Sequence, residues 1–304
     1  MQPLYRQFRT QEQIDAQYDV EKSVPDFMVY ARHYVEESEG VRSRFAASLD
    51  VPYGPTLDET LDIFPAEQPG APVFVFIHGG AWRILSSKEF STVAQGLHAR
   101  GITTVVVNYA LCPKVGIDEI TRQSRAAVAW VLRNIERHGG DPKRVVLGGH
   151  SAGGHLTAMC LQTDWENDYG LAKDPLAGAV MVSGVFEIEP FRWSSIQPML
   201  QIDDGVIRRN TPMHSVRRCT TPILVSWGSD EPEEFARQSR AFVQAWTDAG
   251  NQAEALPQEG RNHFDAIYGL EAPAHPLTAW IANAVAAEGT ADGGAVQPMN
   301  ATPA

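Results

Sequence analysis

Two glycine-rich segments carry the residues best suited to chemistry. In the first, Gly148-Gly149-His150-Ser151-Ala152-Gly153-Gly154 follows the apolar run Arg144-Val145-Val146-Leu147 and leads into an apolar segment from Leu156. A serine hydroxyl becomes a useful nucleophile only when a base takes its proton and the backbone presents it clear of its neighbours. Gly149-x-Ser151-x-Gly153 between a strand and a helix meets the second need, because small residues two positions either side let a strained turn pass adjacent chains. Such a turn lifts the hydroxyl to the strand's C-terminal edge, over a helix N-terminus that favours developing negative charge. The bland alternative for these residues is a glycine-rich helix start packed on a sheet.

The second segment, His78-Gly79-Gly80-Ala81-Trp82-Arg83, directly follows Val73-Phe74-Val75-Phe76-Ile77. Acyl transfer needs N–H donors aimed where a carbonyl oxygen becomes an oxyanion, and glycines let the backbone come close enough. The expected donors are the amides of Gly79, Gly80 and Ala152. His78 is expected to tie the loop down rather than to react. Trp82 is expected to wall the pocket, although a core tryptophan would read the same way.

A base and an acid should follow Ser151 in chain order, the acid first. His263, in Gly260-Arg261-Asn262-His263-Phe264-Asp265, comes after a short strand-like segment, Ala253 to Leu256, and is the expected base. His155 lies one helical turn beyond Ser151 and should point away from its hydroxyl. His214 precedes the last acid-bearing strand, and His275 sits between prolines. Asp230 is the expected acid, because it follows Ile223 to Trp227 through Gly228-Ser229. Glu231 beside it stays open. Asp203 and Asp204 fall in an irregular stretch, and Asp248 near a helix end. Chemistry of this kind runs through an acyl-enzyme: Ser151 attacks, His263 shuttles the proton, and water releases the acyl group.

Strands and helices must alternate to place these loops at one edge. Continuous apolar runs at 73–77, 104–107, 144–147, 178–182 and 223–227 read as strands buried on both faces. Ile117, Ile120, Val128, Val131, Leu132 and Ile135 repeat at helical spacing, stopped by Gly139-Gly140. Phe235, Phe242, Val243 and Trp246 mark another helix. The pattern is α/β: a mostly parallel sheet with helices on both faces. Residues 1–45, with Tyr18, Val20, Phe27, Met28 and Tyr30 as apolar anchors, read as a helical arm. Residues 46–287 form the main domain, with an irregular lid-like insertion at about 184–221. Residues 288–304 read as a disordered tail.

Of 304 residues, 37 are acidic and 25 are Lys or Arg, a formal net charge of -12 that argues against nucleic acid and anionic membranes as partners. No apolar run approaches the roughly 20 residues of a membrane span, and the opening residues lack a signal-peptide core. Three scattered cysteines, Cys112, Cys160 and Cys219, suit a reducing cytoplasm. Exposed edge strands leave a homodimer open.

With the motifs placed, the chain resembles α/β-hydrolases of the hormone-sensitive-lipase-like kind. More narrowly, it resembles serine-type kynurenine formamidases and their bacterial relatives. The similarity runs through Leu49-Asp50-Val51-Pro52-Tyr53-Gly54, Leu61-Asp62-Ile63-Phe64-Pro65, both glycine motifs, Ser183 to Pro190 and Gly228 to Phe235. It implies hydrolysis of an N-formyl arylamine with release of formate, no cofactor, and a triad of Ser151, Asp230 and His263. Ala81, Trp82, His150 and Phe264 would line the pocket. One departure stands out: the formamidases read His-Gly-Gly-Tyr-Trp, and this chain has Ala81 in place of the tyrosine. A larger pocket, open to bulkier acyl or leaving groups, is the expected consequence. A short-acyl carboxylesterase is the alternative within the same chemistry, and an acyltransferase or a non-catalytic binding protein lies further off. No dense His/Asp motif suggests a metal; His150 and His155 alone are weak.

Overall fold

Apolar runs with no wet face become interior strands, and this chain builds its sheet around five of them. The structure, a computed structural model, describes residues 2–289. Its strands are β1 (Ser48–Pro52), β2 (Thr60–Phe64), β3 (Ala71–Ile77), β4 (Thr103–Val107), β5 (Gly140–His150), β6 (Gly178–Val182), β7 (Ile223–Gly228) and β8 (Ala253–Gln258). They form one sheet in the order β1-β2-β4-β3-β5-β6-β7-β8. β1 with β2 and β2 with β4 are antiparallel, and every later pair is parallel.

The helices are α1 (Gln11–Tyr18), α2 (Phe27–Arg44), α3 (Ala94–His98), α4 (Ile117–Asn134), α5 (Ala152–Leu161), α6 (Trp165–Tyr169), α7 (Gln197–Leu200), α8 (Asp204–Asn210), α9 (Glu233–Asp248) and α10 (Pro276–Gly289). Alternate strand residues face opposite sides of a sheet, and the core divides accordingly. Val73, Val75 and Ile77 pack with α4, α5 and α9 residues such as Val128, Leu156 and Phe242. Phe74 and Phe76 pack on the other face with Tyr34 of α2, Leu97 of α3 and Ile281 of α10. The result is an α/β-hydrolase fold with helices covering both faces.

β1 and β2 were not legible as strands, because polar residues interrupt both. Asp62 of β2 is fully buried, and its carboxylate survives there by accepting from Ser87 Oγ and Lys88 Nζ, both at 2.6 Å. The stretch expected to be irregular at 184–221 holds short helical turns, among them Glu189–Trp193 and Pro212–His214 in addition to α7 and α8. Of the arm's expected anchors, Met28 points outward and is 58% exposed. α10 continues through 288–289, and residues 290–304 of the expected tail lie outside the described residues. Among the described residues no helix is long and apolar enough to cross a membrane, and Cys112, Cys160 and Cys219 are buried and free.

Candidate active site

β5 ends at His150, and the chain turns so sharply into α5 that Ser151 takes φ 56° and ψ -117°. That conformation costs a non-glycine residue on the order of 1–3 kcal/mol and persists only where the surroundings hold it. Here the Ser151 amide donates to Val182 O at 2.9 Å, and Ser151 O accepts from the His155 amide at 3.1 Å. The elbow also presses on β3. A Cβ on Gly153 would lie 1.9 Å from Ile77 O, so no other residue fits there.

β3 feeds the second glycine loop. His78 is fully buried; its Nδ1–H donates to Gly79 O at 2.6 Å, and its ring stacks on Tyr109 with centroids 4.1 Å apart. Burial pushes its imidazole down to about 4, so it stays neutral and structural. Gly80 adopts φ +110°, where a Cβ would meet Ile84 O at 2.1 Å, and its carbonyl accepts from the Arg83 and Ile84 amides. Gly79 packs so closely on the elbow that a Cβ there would lie 3.2 Å from Ser151 Cβ. Among the described residues, the amides of Gly79, Gly80 and Ala152 donate to no other group. Three free donors therefore stand around the serine. Trp82 is fully buried, and its Nε1–H donates to His155 Nδ1 at 3.2 Å. His155 in turn donates Nε2–H to Asn210 O at 2.7 Å, which takes it away from the elbow's chemistry.

His263 is buried on the loop after β8. Its Nδ1–H donates to Glu231 Oε2 at 2.7 Å, leaving Nε2 as the basic nitrogen. The expected acid, Asp230, makes no hydrogen bond to His263; the carboxylate that does is that of Glu231 beside it. The turn after β7 closes with the Glu231 amide on Gly228 O, while the Asp230 amide donates to Arg261 O. That geometry sends the Asp230 side chain into water, where Ser229 Oγ contacts it, and brings Glu231 inward. Glu231 Oε1 is held by Ser183 Oγ at 2.5 Å and the Gly228 amide at 2.6 Å, so both carboxylate oxygens are engaged.

Other residues hold this constellation in ways the sequence reading did not foresee, among them His150, expected only to line the pocket, and Tyr30, expected only as an anchor of the arm. His150 places Nε2 2.7 Å from His263 O, so Nε2 carries the proton and donates. Burial, with His263 adding to it, holds the His150 imidazole well below its ordinary range. α2 grips the base loop from outside: Tyr34 Oη donates to Phe264 O at 2.6 Å, and Asn262 Nδ2 donates to Tyr30 Oη at 2.8 Å. The only hint in the sequence was the aromatic spacing Phe27, Tyr30, Tyr34. Ser183 left none.

Ser151, Ala152, His263, Gly80 and the expected pocket residues Ala81, Trp82, His150 and Phe264 line one cavity of about 160 Å³. The arm supplies Phe27 and Tyr34 as its roof, and the insertion supplies Phe191 and Ile196. A cavity of roughly 150 Å³ holds a benzene ring. Among the described residues, no group of three or more His, Cys, Asp or Glu is placed to hold a metal ion.

The matching protein-family model is BD-FAE, over residues 61–184. A kynurenine formamidase from Danio rerio is 31% identical over 237 residues, covering 76% of this chain and 79% of its own. The chain belongs to the kynurenine formamidase family. Esterase LipQ of Mycobacterium tuberculosis is 30% identical, covering 69% of this chain and 55% of its own. Among solved structures, a thioesterase candidate from Silicibacter sp. tm1040 superposes with a TM-score of 0.78 at 27% identity, over 88% of this chain and 97% of that one. Family and fold together make this chain a hydrolase of amide or ester bonds, hormone-sensitive-lipase-like in kind.

Proposed function

We propose that the chain is a formamidase-like serine hydrolase of small aryl amides, with N-formyl-kynurenine as the type of substrate. Ser151 attacks the acyl carbon while His263 Nε2 takes its proton. The buried Glu231 carboxylate keeps the imidazole in the productive tautomer and stabilises the imidazolium. The amides of Gly79, Gly80 and Ala152 receive the oxyanion. His263 then protonates the leaving arylamine, and water, activated by the same imidazole, releases the acyl group as its acid.

The observation that carries this reading is one small cavity lined by Ser151, His263 and aromatic side chains, with three unused backbone donors beside the serine. Its ring-sized volume favours an aryl group over a long acyl chain. A short-acyl carboxylesterase would use the same groups and is the second reading, favoured by Ala81: a small residue on the cavity wall leaves room for acyl groups larger than formyl. We further propose a cofactor-free enzyme of the reducing cytoplasm, in keeping with its three free, buried cysteines. Small molecules are its partners, in keeping with the charge of -12.

The test is turnover of N-formyl-kynurenine and of a short-chain aryl acetate by the native enzyme and by Ser151→Ala. Formamide cleavage well ahead of ester cleavage, and absent in the variant, is the expected result. Ester cleavage alone would establish the second reading. Turnover surviving in Ser151→Ala would overturn both.

A further inference from the structure

The oxyanion donors come from two separate elements. The Ala152 amide belongs to α5, and those of Gly79 and Gly80 to the loop after β3. They act on one oxygen only if both elements hold them within about 2.7–3.1 Å of the point where its charge develops. The loop is not a shape the chain adopts freely. Ala81 and Trp82 stand at φ 49° and 58°, with Gly80 at φ 110° before them. L side chains rarely occupy that region and stay there only where contacts impose it.

Trp82 supplies those contacts. Its carbonyl accepts from the Cys112 amide at 2.8 Å. Its indole is fully buried and stands edge-on to Phe191 and His155, with centroids 5.3 and 5.1 Å apart. A buried indole N–H is costly to leave unpaired, and this one donates to His155 Nδ1 at 3.2 Å. Among the described residues, that is the only hydrogen bond between loop 78–83 and α5. The His155 amide also closes the first turn of α5 on Ser151 O, at 3.1 Å. One residue therefore grips the nucleophile's own backbone and, through its ring, the far side of the oxyanion hole.

The ring can do this in one state only. Nδ1 must keep its lone pair, so Nε2 must carry the proton. Nε2–H donates to Asn210 O at 2.7 Å, at the end of α8. The Asn210 side chain is held in turn by Asp118 Oδ1 at 2.7 Å and Thr121 Oγ1 at 2.8 Å, both on α4. Full burial pushes the imidazole down to about 4, which keeps it neutral and the lone pair available. A leucine would fill the same space without holding the indole.

We propose that His155 is a positioning residue for the oxyanion hole: by holding the Trp82 indole it sets the aim of the Gly79 and Gly80 amides against that of Ala152. It lies outside the lining of the catalytic cavity, so its effect passes through the loop. The inference rests on the hydrolase reading above and holds whether an amide or an ester is cleaved.

Turnover of 4-nitrophenyl acetate, an activated ester open to either enzyme, is compared in the native protein, His155→Leu and His155→Asn, each with and without Trp82→Phe. Thermal unfolding reports folding. Leucine removes the acceptor, whereas asparagine places an oxygen near the position of Nδ1 and restores it. His155→Leu should lower kcat about ten- to a hundredfold with KM within about twofold, short of the loss of about 10²–10³ for a deleted donor. His155→Asn should recover most of that. 2,2,2-Trifluoroacetophenone, whose adduct with Ser151 carries the oxyanion, should bind His155→Leu more weakly by the same factor. Acetophenone, which forms no such adduct, should bind both alike. Trp82→Phe alone should also lower kcat, which keeps the test open should His155→Leu not fold. With that N–H gone, leucine and asparagine at 155 should no longer differ. A folded His155→Leu of native kcat, a loss confined to KM, an unchanged trifluoroacetophenone affinity, or a difference at 155 that persists in Trp82→Phe overturns the proposal and leaves the hydrolase reading standing. A native enzyme that turns over neither this ester nor N-formyl-kynurenine overturns both.

Discussion

Replacing Glu231 by glutamine should cost far more activity than its near-isosteric shape suggests, because the site fixes which end of the amide faces the histidine. Glu231 Oε1 accepts from Ser183 Oγ and from the Gly228 amide, and Oε2 accepts from His263 Nδ1. The Ser183 hydroxyl can rotate to accept instead. The Gly228 N–H cannot. A glutamine must therefore keep its oxygen at Gly228 and turn its NH₂ towards His263. The NH₂ donates, so Nδ1 must become the lone pair and Nε2 must carry the proton. An imidazole in that tautomer cannot take the proton of Ser151. Where the triad carboxylate of a serine protease becomes an amide, the same inversion lowers kcat about 10⁴-fold. At about 1.4 kcal/mol per tenfold, that corresponds to about 5.5 kcal/mol of transition-state stabilisation. Asp230→Asn, changing an exposed carboxylate, should leave kcat within about twofold. The assay is initial-rate turnover of an activated aryl formate by both variants, with thermal unfolding as a check on folding. Near-native activity in Glu231→Gln beside a collapse in Asp230→Asn would refute the reasoning and return the acid's role to Asp230.

Ser183→Ala removes the hydroxyl on Glu231 Oε1 and keeps a Cβ on a residue already at φ 52°, so backbone strain is common to both forms. We expect kcat to fall about tenfold with KM little changed, the effect of one hydrogen bond to a charged group; a change confined to KM would argue against a positioning role. Gly153→Ala should yield little soluble protein, since its Cβ would sit 1.9 Å from Ile77 O, and a soluble variant of native stability would contradict the described packing. His78 and His155 are buried and held near 4, below the value of about 6.5 expected in the unfolded chain, and His150 is displaced in the same direction. Between those values the unfolded chain binds more protons than the folded one. Stability should therefore be full above about pH 6.5 and fall by on the order of a few kcal/mol as pH drops towards 4. Urea midpoints that match at pH 7.5 and 5 would refute this. Ala81→Tyr should shrink the cavity and lower butyryl-to-formyl ester preference about tenfold, read as a ratio of kcat/KM; an unchanged ratio would show that residue 81 does not gauge the acyl group.

How far the sequence carried the site depends on where each constraint is written. Ser151 and the His78–Trp82 loop were legible because their geometry is local: a strained elbow and a close-approaching loop both demand glycines at fixed offsets. His263 followed from chain order and from a strand end. The acid did not, since Asp230 and Glu231 are chemically interchangeable and adjacent. The choice between them lies in a turn whose hydrogen bond runs to Arg261, on a loop distant in sequence. β1 and β2 were hidden for a related reason. A buried Asp62 reads as a surface residue until Lys88 and Ser87 are seen to neutralise and cap it. Ser183, His150, Tyr30 and Tyr34 support the site through contacts to residues distant in sequence, and their residue types carry no sign of that.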